Sequence, residues 1–259
     1  MVLNLFRLLL VLGLILLQAC QSKATFNAEQ SMQTRKQNEA ASYNTQLGLV
    51  YLKQGERPRA KRKLLTALKL APKSPDVNAA MAYYLEMTGD IKQARIFYKK
   101  ALSLASNRGV QLNNYGAFLC RLGRYKQAEG YFLNAVKDVY YVNSAGAYEN
   151  AGLCLAAIPD YPKARSYFAK ALKQDPQRKQ SLYELVKIEL KENQAEKALM
   201  HLQNYSEMTM NDSKLLAMAI EAAQRAGNTA SETIYKQQMI KLHHFTDSTG
   251  EKNDNSNNG

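Results

Sequence analysis

A 34-residue period runs through the middle of the chain and limits its fold more than any other feature: Gly55, Gly89 and Gly123 lie 34 residues apart, and so do Ala60, Ala94 and Ala128. Self-similarity at this spacing marks a supersecondary unit that cannot bury its apolar side alone and must stack on its neighbours. With frames opening at 41, 75, 109, 145, 179 and 213, one position stays small as Gly48, Ala82, Gly116 and Gly152. A second holds Ala60, Ala94, Ala128, Ala164 and Ala198, and four residues on a large side chain recurs as Leu64, Tyr98, Phe132, Phe168 and Leu202. Positions four apart share a helical face, so small residues let two helices approach and large ones fill the space beside them. Turn signals fall between at Gln54-Gly55-Glu56, Thr88-Gly89-Asp90, Leu122-Gly123-Arg124 and Ile158-Pro159-Asp160. Pro58 and Pro162 stand where second helices begin, a place that tolerates a missing N–H, and Pro72 and Pro176 close the first and fourth units. The pattern predicts an all-α chain of paired helices.

These units resemble the tetratricopeptide repeat, in six copies at 41–74, 75–108, 109–144, 145–178, 179–212 and 213–246. The resemblance implies a right-handed superhelix whose first helices line a concave groove suited to extended peptides or partner helices. The sixth copy places Glu232 and Lys236 where the others are apolar, as a terminal cap with one wet face should. The third runs 36 residues, its extra two falling in 138–144, either as a merely lengthened loop or as a contact loop.

By analogy with the repeat family, the second, fifth, ninth, twelfth and thirteenth positions of a unit face the groove. They supply Leu49, Leu52 and Lys53 in the first copy, Tyr83 and Met87 in the second, and Asn113 and Ala117 in the third. The early groove is therefore apolar, and an apolar cluster facing solvent needs a partner unless it packs on the tether or on neighbouring units. The Lys, Asn and Arg clamp with which chaperone-binding relatives hold a C-terminal carboxylate is missing, since Thr45, Leu49, Ala80 and Val110 occupy most of its sites.

The N-terminus fixes a compartment. Leu8 to Leu17 is apolar, interrupted only by Gly13, which suits a secretory core and is too short for a bilayer span of roughly 20 residues. Leu17-Gln18-Ala19-Cys20 resembles the lipobox of bacterial lipoproteins, which implies a signal peptide over 1–19 and acylation at Cys20. With Gln21 rather than Asp next, the same family rule implies the periplasmic face of the outer membrane. Residues 20–40 read as a lipidated flexible tether, and 247–259, ending in DNSNNG, as a disordered tail.

Charge adds less. The chain carries +13, and +12 without its first 19 residues, but Lys and Arg read as spread along it with no recognised nucleic-acid motif, so no nucleic-acid partner is expected. No phosphate loop, paired carboxylates or metal-ligand spacing stands out, and His201, His243 and His244 read as surface residues. No enzyme activity, cofactor, metal or small-molecule substrate is expected. Cys120 and Cys154, on neighbouring first helices, are either a disulfide suited to an oxidising compartment or two small buried hydrophobes.

LNNYGAFLC at 112–120, the extended loop, YENAGLC at 148–154 and the opening YNTQLGLVYLKQGERPRAK at 43–61 resemble the type IV pilus biogenesis lipoproteins of the PilF/PilW kind, over the anchor and all six units. The resemblance implies a pilotin: an outer-membrane lipoprotein that binds the pilus secretin through an apolar groove in its first units and promotes its localisation and multimerisation. It also implies that Cys120 and Cys154 pair. The alternative is a periplasmic adaptor for peptidoglycan enzymes or proteases.

Overall fold

The computed structural model describes residues 30–158 and 160–250, with side chains as far as Leu242. The described residues form helices and turns without a strand. They fall into two compact units that divide between Ser106 and Asn107. The first unit holds α1 (30–53), α2 (Arg57–Leu70), α3 (Pro75–Met87) and α4 (Ile91–Leu104). The second holds α5 (Gly109–Arg121), α6 (Tyr125–Lys137), α7 (Ser144–Ala156), α8 (Tyr161–Gln174), α9 (Lys179–Lys191), α10 (Ala195–Asn204), α11 (Ser206–Met210), α12 (Ser213–Arg225) and α13 (Thr229–Gly250).

The turn inside a repeat is built the same way in five of the six repeats, the exception being the fourth, where Asp160 donates to the Ile158 carbonyl instead. Gly55, Gly89, Gly123 and Gly227 have φ of 80°, 92°, 73° and 67°, and Asn193 takes their place with φ 59°. A left-handed residue lets the next N–H reach back to a carbonyl of the last helical turn: Glu56 donates to Tyr51, Asp90 to Leu85, Arg124 to Leu119, Gln194 to Glu189 and Asn228 to Ala223, all at 2.8–2.9 Å. Side chains cap several starts. Asp90 accepts from the Gln93 N–H, Asn143 from Gly146, and Asp212 from Leu215, each at 3.0–3.1 Å.

The small-and-large code works by close approach. A Cβ on Gly48 would lie 2.7 Å from Leu64 Cγ, one on Gly116 2.9 Å from the Phe132 ring, and one on Gly152 2.7 Å from the Phe168 ring. Leu64, Phe132, Phe168 and Leu202 are all buried. In the first unit Ala60, Leu64, Ala80, Met81 and Tyr84 form the core, flanked by Leu49, Leu52, Leu68 and Phe97. Asn78 is fully buried and donates to the Pro72 and Ser74 carbonyls at 3.0 and 2.7 Å, pinning the turn between the two repeats.

Four features depart from expectation. The first helix already runs over 30–40, where a flexible tether is expected; these residues are good helix formers, with an Arg35–Glu39 pair one turn apart at 2.9 Å. At the other end α13 continues through Gly250, four residues into the expected tail. The fifth repeat has three helices, because α10 stops at Tyr205 and α11 follows, held by the buried Thr209 hydroxyl donating to the Leu202 and Tyr205 carbonyls at 2.9 and 3.1 Å. In the sixth, Glu232 pairs with Lys236 at 2.5 Å and accepts from Gln224, while Tyr235, one position off the repeat frame, is the buried large residue.

Candidate partner-binding surfaces

Five of the seven expected groove residues belong to the first unit. Leu49 and Leu52 on α1 are half-buried and seated on the Ala60–Leu64–Met81 core, so they form the floor of this surface rather than its rim. Tyr83 and Met87, one helical turn apart on α3, are 38% and 47% exposed, and Lys53 is exposed beside the turn. Val50 and Tyr43, 49% and 62% exposed on α1, lie on a different helical face from Leu49 and Leu52 and do not belong to this surface. The part of Tyr83 and Met87 still in water is apolar area that a docking partner could remove from it. Arg59 lies 5.7 Å from the Tyr51 ring and pairs with Glu56 at 2.8 Å, holding the turn at the end of the surface.

Asn113 and Ala117, on α5, belong to the second unit. Both are half-buried, and Asn113 accepts a hydrogen bond from Asn150 on α7 at 3.0 Å. A disulfide joins Cys120 of α5 to Cys154 of α7, with Cα atoms 5.7 Å apart. The two helices are thus tied by an amide pair near their middle and a covalent bond near their C-terminal ends. The face continues in polar groups: Glu149 accepts from Arg178 at 3.1 Å and from the Ser181 hydroxyl at 2.8 Å, and Arg178 also reaches Asp175 and Asn143. Compared with the first unit, this is a wet and internally satisfied surface.

The segment 138–144 is anchored at two points. Asp138 accepts from the N–H groups of Tyr140 and Gly109 at 3.0 and 2.6 Å, and Tyr141 lies against Gly109, where a Cβ would come within 2.4 Å of Tyr141 Cβ. The N–H of Tyr140 is the main reason the Asp138 carboxyl sits below its ordinary range; burial opposes it, and the N–H groups of Gly109 and Arg108 reinforce it. Burial pushes the Tyr141 phenol up, with Arg178 pulling it partly back. Around these anchors Val139, Tyr140 and Val142 are 89%, 71% and 98% exposed.

Cys20 and the signal segment 1–19 lie outside the described residues, as do 20–29 of the tether, 251–259 of the tail and the side chains of His243 and His244. His201 differs from a surface histidine: its Nδ1 is 3.0 Å from the carboxylate of Glu189, which is 2% exposed. Sequence reasoning missed this pair, because an acidic residue in a helix reads as solvated unless its partner twelve residues away is known. Among the described residues no group of His, Cys, Asp and Glu could hold a metal ion, and no helix is long and apolar enough to cross a membrane.

The tetratricopeptide repeat profile matches residues 45–108 and 119–203. The chain is 29% identical over 206 residues, 80% of its own length and 82% of the relative's, to the type IV pilus assembly protein PilF of Pseudomonas aeruginosa. It is 33% identical over 125 residues to an uncharacterized protein of Haemophilus influenzae, which spans 48% of this chain and 70% of that one. Among solved structures, that of Pseudomonas aeruginosa PilF superposes with a TM-score of 0.63 at 27% identity, covering 82% of this chain and 99% of that one. The structure of PilW, a widely conserved type IV pilus biogenesis factor, gives a TM-score of 0.62 at 25% identity over 80% of this chain and 96% of that one.

Proposed function

We propose, from the premise that the chain belongs to the tetratricopeptide repeat family and is a homologue of the type IV pilus assembly protein PilF, that it acts as a pilotin. In this reading the exposed apolar surface of the first unit captures the pilus secretin. A lipid on Cys20 holds the complex at the periplasmic face of the outer membrane, where secretin subunits multimerise. The chain then works by binding and placement, with no chemical step of its own. The observation that carries the reading is the partial exposure of Tyr83 and Met87, one turn apart on α3, in the unit whose core Leu49 and Leu52 of α1 pack against. Apolar anchors of this kind, ringed by polar residues, are where binding energy concentrates in protein interfaces.

The test separates capture from placement. Tyr83→Asp with Met87→Asp changes two exposed residues, so the melting temperature should stay within a few degrees while secretin is lost from pull-downs. Cys20→Ser should leave a folded chain that still binds secretin but no longer delivers multimers to the outer membrane. Undiminished secretin recovery by the double variant, or recovery of a peptidoglycan hydrolase in place of secretin by the wild-type chain, would overturn the binding role; normal multimer placement by Cys20→Ser would overturn the anchoring role.

A further inference from the structure

The positive charge is concentrated, contrary to its even appearance in the sequence. Residues 30–106 hold fourteen Lys and Arg against five Asp and Glu, leaving +9, whereas residues 107–259 hold nineteen against sixteen, leaving +3. Within the first unit the second helices of the two repeats, α2 and α4, contain ten basic residues and no acidic one. Both helices pack on α3.

On α2, Pro58, Lys61, Arg62, Leu65, Thr66 and Lys69 line one shallow depression and are all exposed. Their spacing of three and four makes them a single helical stripe. Among the described residues, Lys61, Arg62 and Lys69 pair with no carboxylate, whereas Arg59, on the same helix, pairs with Glu56. Leu65, 48% exposed, sits in the middle of these cations; on α4, Ile96, 51% exposed, sits among Lys92, Lys99 and Lys100 in the same way. Like charges crowded around bare aliphatic side chains stabilise neither the helix nor the fold.

We propose that the outward face of α2, extended by α4, docks on an anionic phospholipid bilayer. Such a surface satisfies both features at once: the phosphates take the ammonium and guanidinium groups, and the aliphatic carbons enter the headgroup–acyl boundary. A nucleic acid fits less well. The exposed stripe of α2 has no aromatic ring to stack on a base and no amide to read one, and on α4 Phe97 and Tyr98 turn toward the core. The contact is separate from a lipid on Cys20 and from the apolar surface on α1 and α3, and does not depend on the pilotin reading.

The experiment places an environment-sensitive fluorescent amino acid at position 66 of the full chain, so that the signal comes from α2 whether or not the N-terminus is anchored. Vesicles of phosphatidylcholine with phosphatidylglycerol should shift its emission to the blue, vesicles of phosphatidylcholine alone should not, and high salt should reverse the shift. Each basic residue near an anionic surface contributes about a five-fold factor to partitioning, so the triple variant K61E, R62E, K69E should lose about a hundred-fold or more. Unchanged helical melting by circular dichroism controls for folding, and the salt reversal in the wild-type chain decides the matter even if that variant is unstable. No shift with phosphatidylglycerol, an equal shift without it, or a shift caused by duplex DNA or an acidic polypeptide but not by vesicles would overturn the proposal.

Discussion

Breaking the Cys120–Cys154 disulfide should weaken the second unit by an amount that follows from its geometry. The bridge joins residues 34 apart in sequence, and its Cα separation of 5.7 Å is an ordinary one, so α5 and α7 need not bend to form it. Closing a loop of that length in the unfolded chain corresponds to about 3.8 kcal/mol in the chain-entropy treatment. Cys154 is 1% exposed, so the reduced thiol also stays in its apolar site and adds little further change. Guanidinium denaturation of the wild-type chain with and without dithiothreitol should therefore differ by about 3 to 4 kcal/mol. Repeat arrays open piecewise, so hydrogen exchange supplies the location: amides of α5 and α7 should lose protection first, while those of α2 and α3 hold theirs. A difference below about 1 kcal/mol, or equal loss of protection in both units, would refute the reasoning.

Two further perturbations act on the third repeat and its surroundings. Gly109→Val puts side-chain atoms where Tyr141 lies and should cost about 1 to 3 kcal/mol, with faster proteolysis at 138–144 as the direct readout. Acid should also loosen this region and the start of α12. The folded carboxyl of Asp138 lies below its ordinary 3.8, as does that of Asp212, where burial alone would raise it but hydrogen bonds from Lys179 and the N–H groups of Leu215 and Lys214 more than offset the rise. Their contribution is therefore complete above the unfolded value and lost as pH falls through the lower folded one. Melting temperature against pH should turn down below about pH 4, and Asp138→Asn should flatten the downturn; an unchanged profile would remove Asp138 from the explanation.

Much of the architecture was legible because the repeat encodes it in steric terms. Gly116 against Phe132 and Gly152 against Phe168 are one rule written twice, and the left-handed glycines punctuate it. What stayed hidden depends on partners that periodicity does not display. Asn193 does a glycine's work in the fifth repeat, its side chain accepting from Arg225 at 2.7 Å, a residue 32 positions away. The buried place of Tyr235 follows from how α13 rolls on α12, not from the frame, which points to Lys236. The same limit applies to the candidate surface. Groove positions could be counted along the repeat, yet only packing separates Leu49 and Leu52, which are partly core, from Tyr83 and Met87, which face solvent. A charge at Leu52 would thus confuse loss of binding with loss of folding, and the exposed pair gives the cleaner probe.

That distinction sets the choice of crosslinking site. A photoreactive amino acid at position 87 in intact cells, with a second chain carrying it at the exposed position 187 on α9, reports what touches each surface. Secretin captured from 87 and absent from 187 is the expected outcome. Secretin captured equally from both, or from neither while the chain remains folded and abundant, would contradict the assignment of the first unit's apolar surface to that partner.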